Sequence, residues 1–166
     1  GQPFKKGEVR DDGRLFNRYR PSRLLTNGYF EEEWLTPDSF LKDRIQRMFA
    51  RIDTGYKRGK DFKSLNHDVT SDYLISIFPK NMRCPVLNIK MEWGGGYTSK
   101  GKDNSPSLDR INPKMGYLKG NVIWLCNKVN RMKSDQTLDT VIKLGEWAER
   151  LKEDGIESAR EYRDDL

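Results

Sequence analysis

The chain has 166 residues, enough for one domain, or one domain with an extension. Charged residues make up 34% and the formal net charge is +6, a balance that points to a polyanionic partner, most often nucleic acid. No apolar run reaches the ~20 residues of a membrane span. The two cysteines cannot form a disulfide framework or a four-thiolate zinc site, and a single histidine excludes a His-rich metal site. The opening residues have no apolar signal-peptide core, so the expected setting is the cytoplasm.

Residues 1–35 interleave basic and aromatic side chains, among them Arg14, Phe16, Arg18, Tyr19 and Arg20, then Tyr29, Phe30 and Trp34. Asp12-Gly13 is a hairpin turn signal. Such an arm suits nucleic-acid backbone contact and base stacking, and it equally suits a hairpin that packs its aromatics on the body.

Residues 36–80 read as helical. Thr36-Pro37-Asp38 supplies an N-cap, a proline at the first helical position and an acid in the first turn. Leu41, Ile45, Met48, Phe49 and Ile52 recur at helical spacing, with Arg44, Arg47 and Arg51 along another side as candidate phosphate contacts. Gly55 and Gly59 close this helix, and Lys57 to Lys60 form a basic loop. Thr70 or Ser71 caps a second helix through Leu74, stopped by Pro79.

Residues 81–135 alternate short apolar runs with turns. Val86 to Trp93 reads as a strand, followed by a glycine-rich polar loop that carries Lys100 and Lys102. Leu108 to Ile111 and Val122 to Leu125 are two further strands, and a helix begins near Cys126. In residues 136–166, Leu138, Val141, Ile142, Trp147 and Leu151 mark an amphipathic helix with an apolar stripe expected to face the core. The charged end from Glu157 reads as a frayed helix.

Phosphodiester chemistry needs a hard cation held by few protein ligands, so that phosphate and water can complete its coordination. The run Asp109-Arg110-Ile111, Pro113, Gly116, Asn121, Cys126, Val129, Asn130, Lys133 resembles the ββα-metal finger of HNH endonucleases. The wording from Ser107 to Lys133, after a Cys84-Pro-Val-Leu run, is most similar to the small HNH proteins of bacteriophages, whose setting would be a bacterial host cytoplasm.

The resemblance implies an α+β single domain with a ββα finger packed among helices, and a metal-dependent DNA endonuclease of the nicking or homing kind. It implies Asp109 and Asn130 as ligands of Mg²⁺ or Mn²⁺, Asn121 as the residue that ties the finger together, and Lys133 on phosphate. Arg131, Lys114 and Lys119 join the DNA-facing set. Many relatives hold zinc with two Cys-x-x-Cys pairs. Here Cys84 and Cys126 remain while Leu87 and Val129 fill the second places, so zinc is not expected and the four should pack as an apolar cluster.

Arg110 stands where the family carries its general-base histidine, and a guanidinium cannot take a proton from water. A base could come from His67 or Glu92, the cation or substrate could activate water unaided, or the chain could bind DNA without cutting it. Nothing in the sequence chooses between a monomer and a homodimer.

Overall fold

The computed structural model describes residues 4–21, 30–57, 67–93 and 102–162. The architecture is a mixed α+β domain with two two-stranded antiparallel sheets. In the first sheet β1 (Leu15–Pro21) pairs with β2 (Phe30–Leu35), setting Arg18 against Glu33, Tyr19 against Glu32 and Arg20 against Glu31. Basic residues face acidic ones across the ladder, an arrangement that stabilises the pairing. A smaller turn at Asp12-Gly13, with Gly13 at φ 78, precedes β1 and is closed by a Val9–Leu15 bridge.

The aromatics of this arm pack on one another within it, which differs from the expected packing on the body. Phe16 is buried and meets Phe4, Tyr19 and Trp34 at centroid distances of 5.6, 4.9 and 5.4 Å.

The first helix, α1 (Pro37–Lys57), starts where Thr36 Oγ1 accepts the Ser39 N–H at 3.3 Å. It runs on past Gly55. Ile45 and Ile52 of the expected apolar face are buried, Leu41, Met48 and Phe49 pack half-buried against the core, and Phe40 is buried as well. Thr70 caps α2 (Ser71–Ser76) by accepting the Tyr73 N–H at 3.2 Å, and Leu74 faces the core.

The strand expected over Val86 to Trp93 does not form. The Cys84 N–H donates to Ile89 O, the Asn88 N–H donates to Cys84 O, and Asn88 lies at φ 56. The chain turns tightly there because Pro85 has no donor for a ladder and Asn tolerates the left-handed region.

The second sheet is a hairpin of β3 (Pro106–Arg110) and β4 (Val122–Cys126), with Asp109 opposite Ile123 and Arg110 opposite Val122. It leads without a break into α3 (Asn127–Lys133), which packs back on both strands. Trp124 anchors the hairpin to the rest. It is 1% exposed, lies edge-on to Phe78 and Trp93, and its indole N–H donates to Leu74 O at 2.9 Å. Ile45, Leu74, Met91, Leu108 and Cys126 complete the core around it.

The last helix, α4 (Leu138–Asp154), is capped by Thr137 and corrects the sequence reading. None of its residues is buried, and Leu138, Val141, Ile142 and Trp147 are exposed rather than core-facing. Its packing partner is the following 3₁₀ turn, Ser158–Arg160, which replaces the expected frayed helix; the Trp147 indole donates to Ala159 O at 3.0 Å. The amphipathic spacing is real, but Ser134 leaves the helical region (φ 50, ψ −129) and redirects the chain, so the stripe does not meet the core. Among the described residues no helix is long and apolar enough to cross a membrane.

Candidate functional site

The loop between β3 and β4 is held by one side chain. Asn121 is buried; its Oδ1 accepts the Asn112 N–H at 2.9 Å and its amide donates to Asn112 O and Gly116 O at 3.1 and 3.0 Å. A carboxamide suits this place because it can accept and donate at once to a loop whose own backbone groups have no ladder partner. The loop is also tied to the segment entering α2. Asp68 Oδ1 accepts the Lys119 N–H at 2.7 Å, and the Tyr73 hydroxyl accepts that of Gly120 at 2.9 Å. Gly120 sits at φ 85, where a side chain would be strained.

This loop, the end of β3 and the end of α3 enclose a solvent-open cleft of about 280 Å³, lined by Asp109, Arg110, Tyr117, Asn130, Ser134 and Asp135 among others. Asp109 lies at the floor, 4% exposed. Lys133, one helical turn past Asn130, folds back inward rather than out to solvent. Its ammonium donates to Asp109 Oδ1 at 3.2 Å and to Arg110 O at 2.9 Å, and it lies 3.1 Å from Asp109 Oδ2. That last approach lacks hydrogen-bond geometry, so Oδ2 is a buried oxygen with a charge beside it and no hydrogen bond. Burial pushes the Asp109 carboxyl up, against the downward pull of the Lys133 hydrogen bond and of the Lys133 and Arg110 charges.

Arg110 is half-buried in the cleft lining with its guanidinium 5.4 Å from the centre of the Tyr117 ring. Asn130 donates through Nδ2 to Ser107 Oγ at 2.5 Å, leaving Oδ1 as its free acceptor.

Asp109 Oδ2 and Asn130 Oδ1 are two oxygen donors on facing elements of one cleft. Carboxylate and carboxamide oxygens are of the ligand type that a hard cation takes. Among the described residues no three of His, Cys, Asp and Glu cluster closely enough to make a fuller ligand set. Asp135, two residues beyond Lys133, also lines the cleft, and no sequence motif marks it.

The other candidates lie elsewhere. His67 Nε2 is 3.3 Å from Asp53 Oδ1 on α1 and its ring meets Phe49, so it does not line the cleft. Glu92 is exposed, 4.0 Å from Lys90, and also absent from the lining. Lys114 and Lys119 are exposed on the loop beside the cleft, and Lys119 sits over the Tyr73 ring at 5.8 Å. Lys102 is exposed before β3, while Lys100 falls outside the described residues.

Several arginines are already paired. Arg131 bonds Asp103; Arg18 and Arg20 both meet Glu33; Arg14 lies 3.8 Å from Asp12; Arg47 bonds Asp43 at 2.7 Å. Arg51 is exposed, whereas Arg44 is half-buried 5.6 Å from the Trp93 ring. Burial and the neighbouring Arg51 and Arg47 charges draw the Arg44 guanidinium below its ordinary value.

Of the four residues expected to pack where a zinc would sit, Cys84, Cys126 and Val129 are buried in the core. Leu87 is not; its side chain is 42% exposed. The tight turn points the Leu87 backbone N–H, not its side chain, at the Cys84 sulfur. Burial works to raise the Cys84 thiol, yet N–H groups of Cys126, Leu87 and Val86 together hold it below its usual value, while burial pushes Cys126 up.

No family model, curated protein or solved structure matches this chain.

Proposed function

We infer that this protein is an endonuclease that hydrolyses a phosphodiester bond of DNA with the help of Mg²⁺ or Mn²⁺. The observation that carries the reading is the convergence of a buried carboxylate, a guanidinium and a carboxamide, from Asp109, Arg110 and Asn130, on one cleft. Two oxygen donors and a cationic donor are what a scissile phosphate and its cation require.

When bound between Asp109 and Asn130, the cation supplies Lewis-acid stabilisation of the charge that develops on the phosphate. Arg110 donates hydrogen bonds to a non-bridging phosphate oxygen and stabilises the same charge. Tyr117 holds the guanidinium plane in place. Asp135 is the carboxylate left to accept the proton of the attacking water. Asn121 keeps the loop closed so that Arg110 and Asp109 stay in register. Lys114, Lys119 and Lys102 offer exposed charge to the flanking strand.

A second reading, a DNA-binding protein that does not cut, is favoured by two observations. Lys133 already neutralises Asp109, and no imidazole lines the cleft among the described residues. Supercoiled plasmid with Mg²⁺ or Mn²⁺ separates the two. Nicking by the wild type, abolished in Asp109→Ala and Asn130→Ala, supports the enzyme. Salt-sensitive binding with intact plasmid supports the binder, and a gain of nicking in Arg110→His would then locate the missing base.

A further inference from the structure

We propose that Lys133 is a built-in occupant of the cation site: its ammonium neutralises Asp109 until a divalent cation displaces it. This rests on the reading of Asp109 as a cation ligand.

Three contacts place the ammonium there, to Asp109 Oδ1 at 3.2 Å, Asp109 Oδ2 at 3.1 Å and Arg110 O at 2.9 Å. The two side chains are 9% and 4% exposed, so neither charge is solvated well enough to stand alone. A cation that takes Asp109 Oδ2 must share a buried carboxylate with a positive charge about 3 Å away, or move that charge. Repulsion at that range in a buried site decides for movement. The ammonium has somewhere to go, because the two residues that follow Lys133, Ser134 and Asp135, line the cleft, and Asp135 offers an exposed carboxylate there.

The exchange has two consequences. Asp109 is never left bare, so the site keeps its shape without metal. The cation's affinity is reduced by the free energy of the ion pair it breaks, and Lys133, once displaced, adds positive charge at the place where a phosphate would lie. Loading of the cation and capture of a phosphate then favour one another.

Mn²⁺ binding, read from the electron paramagnetic resonance of the free ion, tests this on wild type, Lys133→Met, Lys133→Arg and Asp109→Asn. Lys133→Met, which keeps the apolar stem and removes the charge, is expected to bind Mn²⁺ about tenfold tighter or more, within the usual range of coupling between two sites. Lys133→Arg keeps the charge and stays near the wild-type affinity. Equal or weaker binding by Lys133→Met, with wild-type binding lost in Asp109→Asn, overturns the displacement and leaves the cation reading standing. Absence of Mn²⁺ binding in both wild type and Lys133→Met overturns both.

A second measurement needs no variant. In uniformly ¹⁵N-labelled wild-type protein, the sheltered Lys133 Nζ resonance is expected to move or broaden as Mg²⁺ is added. An Nζ signal that stays fixed while Mg²⁺ shifts the Asn130 side-chain amide overturns the proposal.

Discussion

Lys133 and Asp109 form an ion pair at the floor of the cleft, bridged further by the Lys133 hydrogen bond to Arg110 O. Each half leaves a buried charge if the other is removed. Single substitutions Lys133→Met and Asp109→Asn should each cost about 3–5 kcal/mol in the absence of a cation. The double variant should recover to within about 1 kcal/mol of wild type or exceed it, because a neutral pair of similar size has no desolvation to repay. Urea denaturation of the four proteins in chelator checks the cycle.

Asn121 makes three hydrogen bonds across the loop from a buried position. Asn121→Ala leaves backbone groups of Asn112 and Gly116 without partners and should cost about 2–4 kcal/mol. Asn121→Asp, which can accept but not donate, should fall between. Thermal unfolding gives the ranking, and amide exchange should show the damage concentrated over residues 111–121.

Asp135 is exposed at the cleft and caps nothing that the fold needs. Asp135→Asn should leave the melting temperature and DNA affinity near wild type while lowering nicking about 10²-fold or more, the usual loss when a general base is removed. Unchanged nicking would return the search for a base to the substrate or to metal-bound water.

Lys6 is partly buried beside Arg44, Arg47 and Arg18, with only Asp43 to offset them; burial first, then those charges, lower its ammonium to about 8. The unfolded chain holds that proton to a higher pH than the folded one, so the folded state gains stability as pH rises from about 8 to about 10.5 and gives it back on acidification. Discounted for solvent screening, the gain should be about 1 kcal/mol. The difference between wild type and Lys6→Met across that window isolates it from other groups that titrate there.

Arg18 and Arg20 both bond Glu33 across the sheet. The register also sets Glu31 opposite Arg20, so the two positive charges face two carboxylates within the arm. Removing both should change the salt slope of DNA binding by less than about one counterion, whereas removing Lys114, Lys119 and Arg110 beside the cleft should lower it by about two or more. Titration at several salt concentrations distinguishes the two sets.

What the sequence revealed was what short-range spacing dictates. The apolar rhythm from Leu41 to Ile52 gave α1, and Thr70 gave the start of α2. The run from Leu108 to Lys133 gave the strand–turn–strand–helix order, because each turn is fixed by residues within it. What it concealed depended on partners distant in the chain. The inward fold of Lys133 needs Asp109, 24 positions away, to be seen. The charge pairing in the arm needs the register that lays Glu33 against Arg18. Cys84 and Leu87 look alike in the sequence as members of one knuckle, but the turn at Asn88 sends one side chain in and the other out. The amphipathic stripe of α4 carries no information about which way Ser134 will aim the helix.

The described lining of the cleft falls between Leu108 and Asp135, one uninterrupted stretch of chain. Helices α1 and α2 contribute none of that lining; α2 seats the Trp124 indole on Leu74 O, and Tyr73 with Asp68 just before α2 braces the loop. Such a site is portable. A single recombination event could carry all of it to another scaffold that offers an apolar seat for one tryptophan and two acceptors for a loop. The arm, α1 and α4 around it are then free to diverge without altering the cleft.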